Sequence, residues 1–322
     1  MGGFTFCCGD FVAAMDAKGT VTNEILEMIE EDERVCYINS DSTVGRVAEA
    51  MKKYPDRVLD TGIQEMNMVT VAAGLAKMGY IPYVQTFGPF LCVRALDQIH
   101  NDVCYNDFPV RLIGTHAGLS SGYGPTHNTI IEFGIMNAMP NMTMVAPCDA
   151  NQAKKLLRKS LDYPGPIYIR IPRGEEPAVY AEDADYEYEI GKAIVLSEGK
   201  DLTIIATGMA VYNSVQAAMK LQEEGYDIGV IDMHTIKPID KEAVIKAAKA
   251  TGKILTVEDH NVLGGLGARV ADVLMEEGVA AQVKKIGVPD CFAEFGYPEE
   301  LYPYYGLDVE GIVKTAREFL KK

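Results

Sequence analysis

Glu65 stands at the head of a run, DTGIQEMNMVTVAAGLAKMG, whose later positions Val69, Val71, Ala72, Ala73, Leu75 and Ala76 are small and apolar. The pattern predicts a helix from Gln64 to Met78 that is apolar on nearly every face and therefore packed against other protein. A carboxylate carried into such a setting is expensive unless it is protonated or partnered, and burial raises its pKa. A carboxyl held partly neutral is what a proton relay to a ring nitrogen requires. Read alone, the same residue also fits a solvated carboxylate that favours a helix N-terminus through the dipole.

Three more groups bear on chemistry. Phe87 and Phe90, three apart in QTFGPFLCVRALDQIHND, offer either a stacking platform for a heteroaromatic ring or ordinary core. The stretch RLIGTHAGLSSGYGPTHNTIIEFG sets His116 directly after a strand and His127 at the entry of the next helix, with a glycine-rich turn between. Loops that follow parallel strands form the ligand-binding edge of a sheet. Imidazoles there donate hydrogen bonds to hydroxyls or anions and move protons near neutral pH, or merely cap turns. Two histidines eleven apart without a third ligand make a poor zinc site, and no metal ligand is expected in this chain. Arg170 and Arg173 end the strand of IYIRIPRG. A guanidinium at that edge holds a phosphate or carboxylate bidentately, or else forms a surface ion pair.

The elements that position these residues follow from an alternation of β-branched runs and helical patterns. RVCYIN, IPYVQT, VRLIGT, MTMVAP and IYIRIP read as strands, with helices at 43–53, 64–78, 90–105, 126–139 and 149–161 between them. That rhythm predicts an α/β fold with a mainly parallel sheet covered on both faces. The acidic stretch GEEPAVYAEDADYEYEI has no sustained apolar period and reads as a linker. Beyond it LTIIATG, IGVIDMH, KILTVED and VKKIGVP begin a second doubly wound domain. The expected divisions are a tail over 1–18, a domain over 19–175, the linker over 176–190 and a second domain over 191–322. Gly264, Gly265 and Gly267 match a dinucleotide loop only partly and read as a helix-entry turn.

Composition narrows the partners. Of 322 residues, 48% are hydrophobic and 24% charged, as in soluble globular chains. Thirty basic residues against forty-six acidic ones give a net charge of −16, which disfavours nucleic acid and anionic lipid. Seven scattered cysteines without a CxxC pair fit neither a disulfide framework nor a zinc knuckle and point to a reducing cytoplasm. Cys7 and Cys8 raise palmitoylation, although two adjacent cysteines in a tail carry little information. No run is long enough to span a bilayer, and the N-terminus lacks the pattern of a signal peptide.

Taken in order, D-x-G-I-x-E, TF-x-x-F-x-x-x-R-A-x-DQI, G-T-H-A-G-L, G-P-T-H-N, M-P-N-M-T-M-V-A-P-x-D and R-I-P-R-G resemble the pyrimidine-binding domain of the transketolase family. K-P-I-D from Lys237, T-V-E-D-H from Thr256, G-G-L-G from Gly264 and G-Y-P-E-E-L from Gly296 resemble its C-terminal domain. The likeness runs from about residue 19 to near the end. It implies that Glu65 hydrogen-bonds the aminopyrimidine of thiamine diphosphate, and that a two-carbon ketol unit passes from a ketose to an aldose. It further implies that Ile63, Phe87 and Phe90 surround the pyrimidine. His116, His127, Arg173 and Ser42 then contact the sugar or its phosphate, Arg173 matching the family's phosphate arginine better than Arg170.

The family's diphosphate-binding domain, with its G-D-G motif, has no counterpart here. The resemblance is therefore to the C-terminal subunit of a two-chain enzyme, expected as an α2β2 assembly in which a partner subunit binds Mg²⁺ or Ca²⁺ and the cofactor's diphosphate. Two departures bear on substrate. Tyr123 replaces the usual acidic residue before G-P-T-H, and Val21 or Thr22 falls where an arginine helps to bind sugar phosphate. Both point to a donor or acceptor other than the usual pentose and hexose phosphates, such as a deoxy or branched sugar. The competing readings are a 2-oxo-acid dehydrogenase E1 β-type subunit, a deoxyxylulose phosphate synthase-like enzyme, and a non-catalytic assembly subunit.

Overall fold

The computed structural model describes residues 14–120 and 122–321. It opens with β1 (Ala14–Asp16), α1 (Ala17–Glu31), β2 (Val35–Asn39), α2 (Arg46–Lys53), β3 (Val58–Asp60), α3 (Glu65–Lys77) and β4 (Ile81–Phe87). The helical segment that follows is irregular, with α4 (Leu96–Gln98) between the wider turns Phe90–Arg94 and Ile99–Cys104. Then come β5 (Arg111–Thr115), α5 (Glu132–Asn137), β6 (Thr143–Val145), α6 (Ala150–Ser160), β7 (Ile167–Arg170) and β8 (Glu175–Pro177). The second half holds β9 (Ile194–Ser197), β10 (Leu202–Ala206), α7 (Ala210–Glu223), β11 (Ile228–Asp232), β12 (Thr235–Lys237), α8 (Lys241–Thr251) and β13 (Lys253–Asn261). It ends with α9 (Leu266–Glu276), β14 (Gln282–Val288), α10 (Pro298–Tyr305) and α11 (Val309–Leu320).

One sheet has the order β12-β6-β7-β5-β4-β2-β3 and the other β14-β13-β10-β11-β9. Both are parallel except for an edge strand, β12 in the first and β9 in the second. Their central strands are buried along their whole length and mostly apolar, as expected of strands covered on both faces. The two halves are not independent, because β12 leaves the second half to pair with Val145 and Met144 of β6. Among the described residues no helix is long and apolar enough to cross a membrane.

Two expected boundaries change. The tail expected over 1–18 ends earlier: β1 pairs with β8, and α1 begins at Ala17 under the cap of Asp16, whose Oδ1 accepts the Gly19 N–H at 3.0 Å. Val21, Ile25, Met28 and Ile29 bury one face of α1, the spacing of an amphipathic helix. Cys7 and Cys8 lie outside the described residues. The segment 176–190 is no free spacer, since Glu176, Val179, Tyr180, Tyr186 and Tyr188 are all buried. The Asp149 carboxylate accepts the N–H groups of Val179 and Tyr180, and the Tyr180 hydroxyl donates to Asp232, so this strap is bonded to both halves.

Candidate functional site

The C-terminal ends of β2, β4, β5 and β7 bring most of the sequence-selected residues to one edge of the first sheet. α3 buries Met68, Val69, Ala72, Ala73 and Ala76 but leaves Met66, Thr70 and Gly74 uncovered, so its apolar surface is only half used within this chain. Glu65, at its first residue, is 1% exposed. Its carboxylate is partnered rather than isolated: Arg94 Nη1 donates to Oε2 at 2.8 Å, and the Ser40 hydroxyl lies 3.5 Å from Oε1. Arg94 sits four residues after Phe90 on the irregular helix, and its guanidinium covers the Phe90 ring at 4.3 Å.

From Phe90 the contacts continue without a break. Phe90 lies 5.4 Å from Phe87 and 5.2 Å, edge-on, from His127. Phe87 stacks on His116 at 3.9 Å, His116 faces Tyr123 at 5.7 Å, and the Arg173 guanidinium covers the Tyr123 ring at 4.4 Å. A track of aromatic and charged groups thus joins the buried carboxylate at one end to a cation at the other. Alongside it lies a groove of about 580 Å³ lined by Pro89, Phe90, Val93, Arg94, Thr126 and Phe292.

His116 is held in a costly conformation. Its φ of 59° is the left-handed region that a non-glycine residue seldom occupies. The Thr115 hydroxyl donates to the Thr86 carbonyl at 3.1 Å, so at its 3.0 Å contact with His116 it must accept from Nδ1–H. That leaves Nε2 as the acceptor of a neutral ring. Burial, helped by Lys18, Arg173 and His127, pushes the imidazolium pKa down to about 3. His127 lies in a turn before α5 rather than at the entry of a helix, because that helix starts only at Glu132. Its Nδ1 is 2.8 Å from the Thr126 hydroxyl.

The two arginines of R-I-P-R-G have opposite surroundings. Arg170 is fully buried, bonded to Glu132 and, at 2.5 Å, to Asp259 of the second half. The same Asp259 leaves no room for a side chain at Gly118, φ +68°, where a Cβ would lie 1.8 Å from its Oδ2. Arg170 is thus a fastener between halves, whereas Arg173 is half-exposed, with its N–H bonded to the Ser120 hydroxyl at 3.0 Å. Ser42 lies on the loop after β2, its N–H held by Asn39 Oδ1 at 2.9 Å, and no described contact ties it to the histidines. Ile63 is exposed on the turn before α3.

Sequence reasoning missed two residues. Arg94 was signalled by its spacing of four from Phe90. Lys18 was hidden by the tail boundary: it lies in the first turn of α1, where its ammonium feels Arg173 and Tyr123 and itself acts on His116. Val21 is in the core and Thr22 bonds Gln85, so neither reaches the site. The glycines from Gly264 form a helix entry whose Leu266 and Gly267 N–H groups are already taken by the Glu258 carboxylate at 2.7 and 2.9 Å, which leaves no berth for a dinucleotide phosphate.

The family model for the transketolase pyrimidine-binding domain matches residues 13–177, and that for the transketolase C-terminal domain matches 191–312. The chain is 40% identical to a subunit of the apulose-4-phosphate transketolase of Phocaeicola vulgatus, over 95% of this chain and 97% of that one. It is 36% identical to the SqwH subunit of the 6-deoxy-6-sulfo-D-fructose transketolase of a Clostridium species, over 95% and 94% of the two chains. A solved split-gene transketolase, described as an inactive β4 tetramer, superposes with a TM-score of 0.87 at 35% identity over 95% of this chain and 99% of that one. Transketolase from Pichia stipitis shares the fold, with a TM-score of 0.77 at 20% identity, over 97% of this chain but 46% of that one. The chain belongs to the transketolase family and carries its pyrimidine-binding and C-terminal domains.

Proposed function

We propose that this chain is the pyrimidine-activating subunit of a two-chain transketolase that moves a two-carbon ketol unit from a ketose, or ketose phosphate, to an aldose. The unbroken track from Glu65 through Arg94, Phe90, Phe87 and His116 to Arg173 carries the reading. It puts a buried carboxylate, an apolar wall, a neutral imidazole and a cation along one sheet edge. The residues fit thiamine diphosphate, because a buried carboxylate beside two phenyl rings with one side open suits a polar heteroaromatic ring. When bound, the cofactor supplies the stabilisation of carbanion character that ketol transfer needs.

This chain's own part is positional and electrostatic. Arg94 fixes the Glu65 carboxylate so that it can hold a proton shared with a ring nitrogen, while Ile63, Phe87 and Phe90 exclude water from that ring. His116, neutral across the physiological range, presents Nε2 as an acceptor for a sugar hydroxyl. His127 lies within reach of the same space, Arg173 and Tyr123 close its far end, and Ser42 lies on a neighbouring loop as a further substrate contact.

A partner subunit supplies what is missing. This chain has no diphosphate motif, and the uncovered Ile63, Met66 and Val93 mark where the second chain would pack, with Mg²⁺ or Ca²⁺ held mainly by that partner in an α2β2 assembly. The setting is cytoplasmic. The named relatives act on a sugar phosphate and a sulfo-sugar, which agrees with an anionic substrate that need not be an ordinary pentose or hexose phosphate. The test is reconstitution: the chain, its N-terminal subunit, thiamine diphosphate and Mg²⁺ are assayed for two-carbon transfer between sugars. Decarboxylation of a 2-oxo acid instead would assign the complex to one of the other thiamine enzymes.

A further inference from the structure

Tyr123 stands between two glycines in G-Y-G-P-T-H, and neither glycine has room for a side chain. A Cβ at Gly122 would come within 2.6 Å of Tyr297 Cε1, and one at Gly124 within 2.5 Å of Phe295 Cδ2. Gly124, at φ +78°, also needs glycine for its backbone. Gly122 is outside the left-handed region, so there the Tyr297 ring alone stands against a side chain. Both rings belong to the second half, on the loop between β14 and α10. The turn that carries Tyr123 is thus held at both of its glycines by the other half of the chain.

These rings are not core aromatics. Phe295 is 75% exposed and Tyr297 66%, so neither is needed to fill the second half. Their loop is nevertheless fixed: the Glu294 N–H donates to the Tyr305 hydroxyl at 2.9 Å, and the Glu300 carboxylate accepts the Tyr297 N–H at 3.2 Å. α10 is anchored in turn by the Tyr302 hydroxyl, which donates to Asp259, the residue that holds Arg170. On the other side, the Gly124 carbonyl accepts the N–H groups of His127 and Asn128, both at 3.0 Å. A shift at Gly124 therefore carries His127 with it, and a shift at Gly122 carries Tyr123, whose ring lies 5.7 Å from His116 and 5.9 Å from His127.

We propose that Phe295 and Tyr297 are positioning residues for substrate. By packing on Gly122 and Gly124 they set the turn so that Tyr123 and His127 face the sugar, and the second half thereby takes part in specificity at a site built by the first. This rests on the reading of the track as a ketol-transfer site. The Glu65 end is untouched by it.

The test uses the reconstituted complex with xylulose 5-phosphate as donor and ribose 5-phosphate as acceptor. Tyr297→Ala is expected to raise KM for the acceptor about threefold to tenfold with kcat nearly unchanged, and Tyr297→Phe, which keeps the ring, to restore it. Gly122→Ala, which pushes against the same ring, should raise KM by a similar factor in the natural chain and by less than about twofold in the Tyr297→Ala background. An unchanged KM in Tyr297→Ala, or factors that simply multiply in the double variant, would overturn the assignment. Should the complex transfer no ketol unit, the functional reading fails, and amide hydrogen exchange of His127 and Asn128 in the chain decides the contact on its own. Exchange about fivefold faster in Tyr297→Ala supports it, and an equal rate in both proteins overturns it.

Discussion

Arg170 and Arg173 leave the same strand three residues apart and end in opposite environments. Arg170 has two carboxylates, full burial and, through Asp259, the Tyr302 hydroxyl at 3.1 Å as a further bond in its cluster. Arg173 has an aromatic face, a neutral histidine nearby and a second cation. Both are guanidiniums in R-I-P-R-G, so the motif alone does not say which one binds and which one fastens. Pairing separates them: Arg170 has its partners built in and is structural, whereas Arg173 has no ion pair among the described residues and is the one we propose contacts substrate.

The contrast can be broken at several points. The largest effect is expected at Glu65. Glu65→Gln should lower kcat/KM of the reconstituted complex by about 10²- to 10⁴-fold without changing assembly, checked by steady-state kinetics and sedimentation. Next comes Arg170→Leu, which leaves Glu132 and Asp259 buried without their cation. It should cost about 3–5 kcal/mol in denaturant unfolding, whereas Arg173→Leu should leave stability within about 0.5 kcal/mol. Tyr123→Ala removes the ring beneath the Arg173 guanidinium and should raise KM for a phosphorylated sugar only severalfold, in line with about 0.5–1 kcal/mol for such a contact.

The smallest signal is an absence of titration. The chain has five histidines. Burial holds His116, His234 and His260 at a pKa of about 3 in each case. Their rings are therefore neutral throughout ordinary buffers, and their imidazole NMR signals should stay flat from pH 5 to 8. The sign follows from the shift. The unfolded chain takes up protons near pH 6.5 that the folded rings refuse, so the stability contributed by these three groups is complete above that pH and is lost on acidification. A His116 signal that moved with a midpoint near 6.5 would deny its burial beside two cations.

Much of the fold was legible because long parallel strands write themselves as continuous β-branched runs: RVCYIN, IPYVQT and VRLIGT each fall on an observed strand. Short β3 and β12 were not, since three residues carry no period, and β12 pairs with a strand about ninety positions earlier, which no local pattern reports. The strap over 176–190 reads as a linker because its acidic residues interrupt any sustained apolar period, although Tyr180, Tyr186 and Tyr188 do the packing. The sheet-edge residues were readable as positions after strands, and their order along the track was not, because it depends on side chains meeting across β4 and β5. Lys18 was invisible for a related reason: only the β1–β8 pairing, between segments about 160 residues apart, sets it beside Arg173.

Calorimetric titration of thiamine diphosphate with Mg²⁺, on this chain alone and then on its mixture with the N-terminal subunit, tests the divided site most directly. The account predicts binding in the mixture and none by the chain alone. Tight binding by the chain alone would contradict it, since a complete diphosphate site would then lie within these 322 residues.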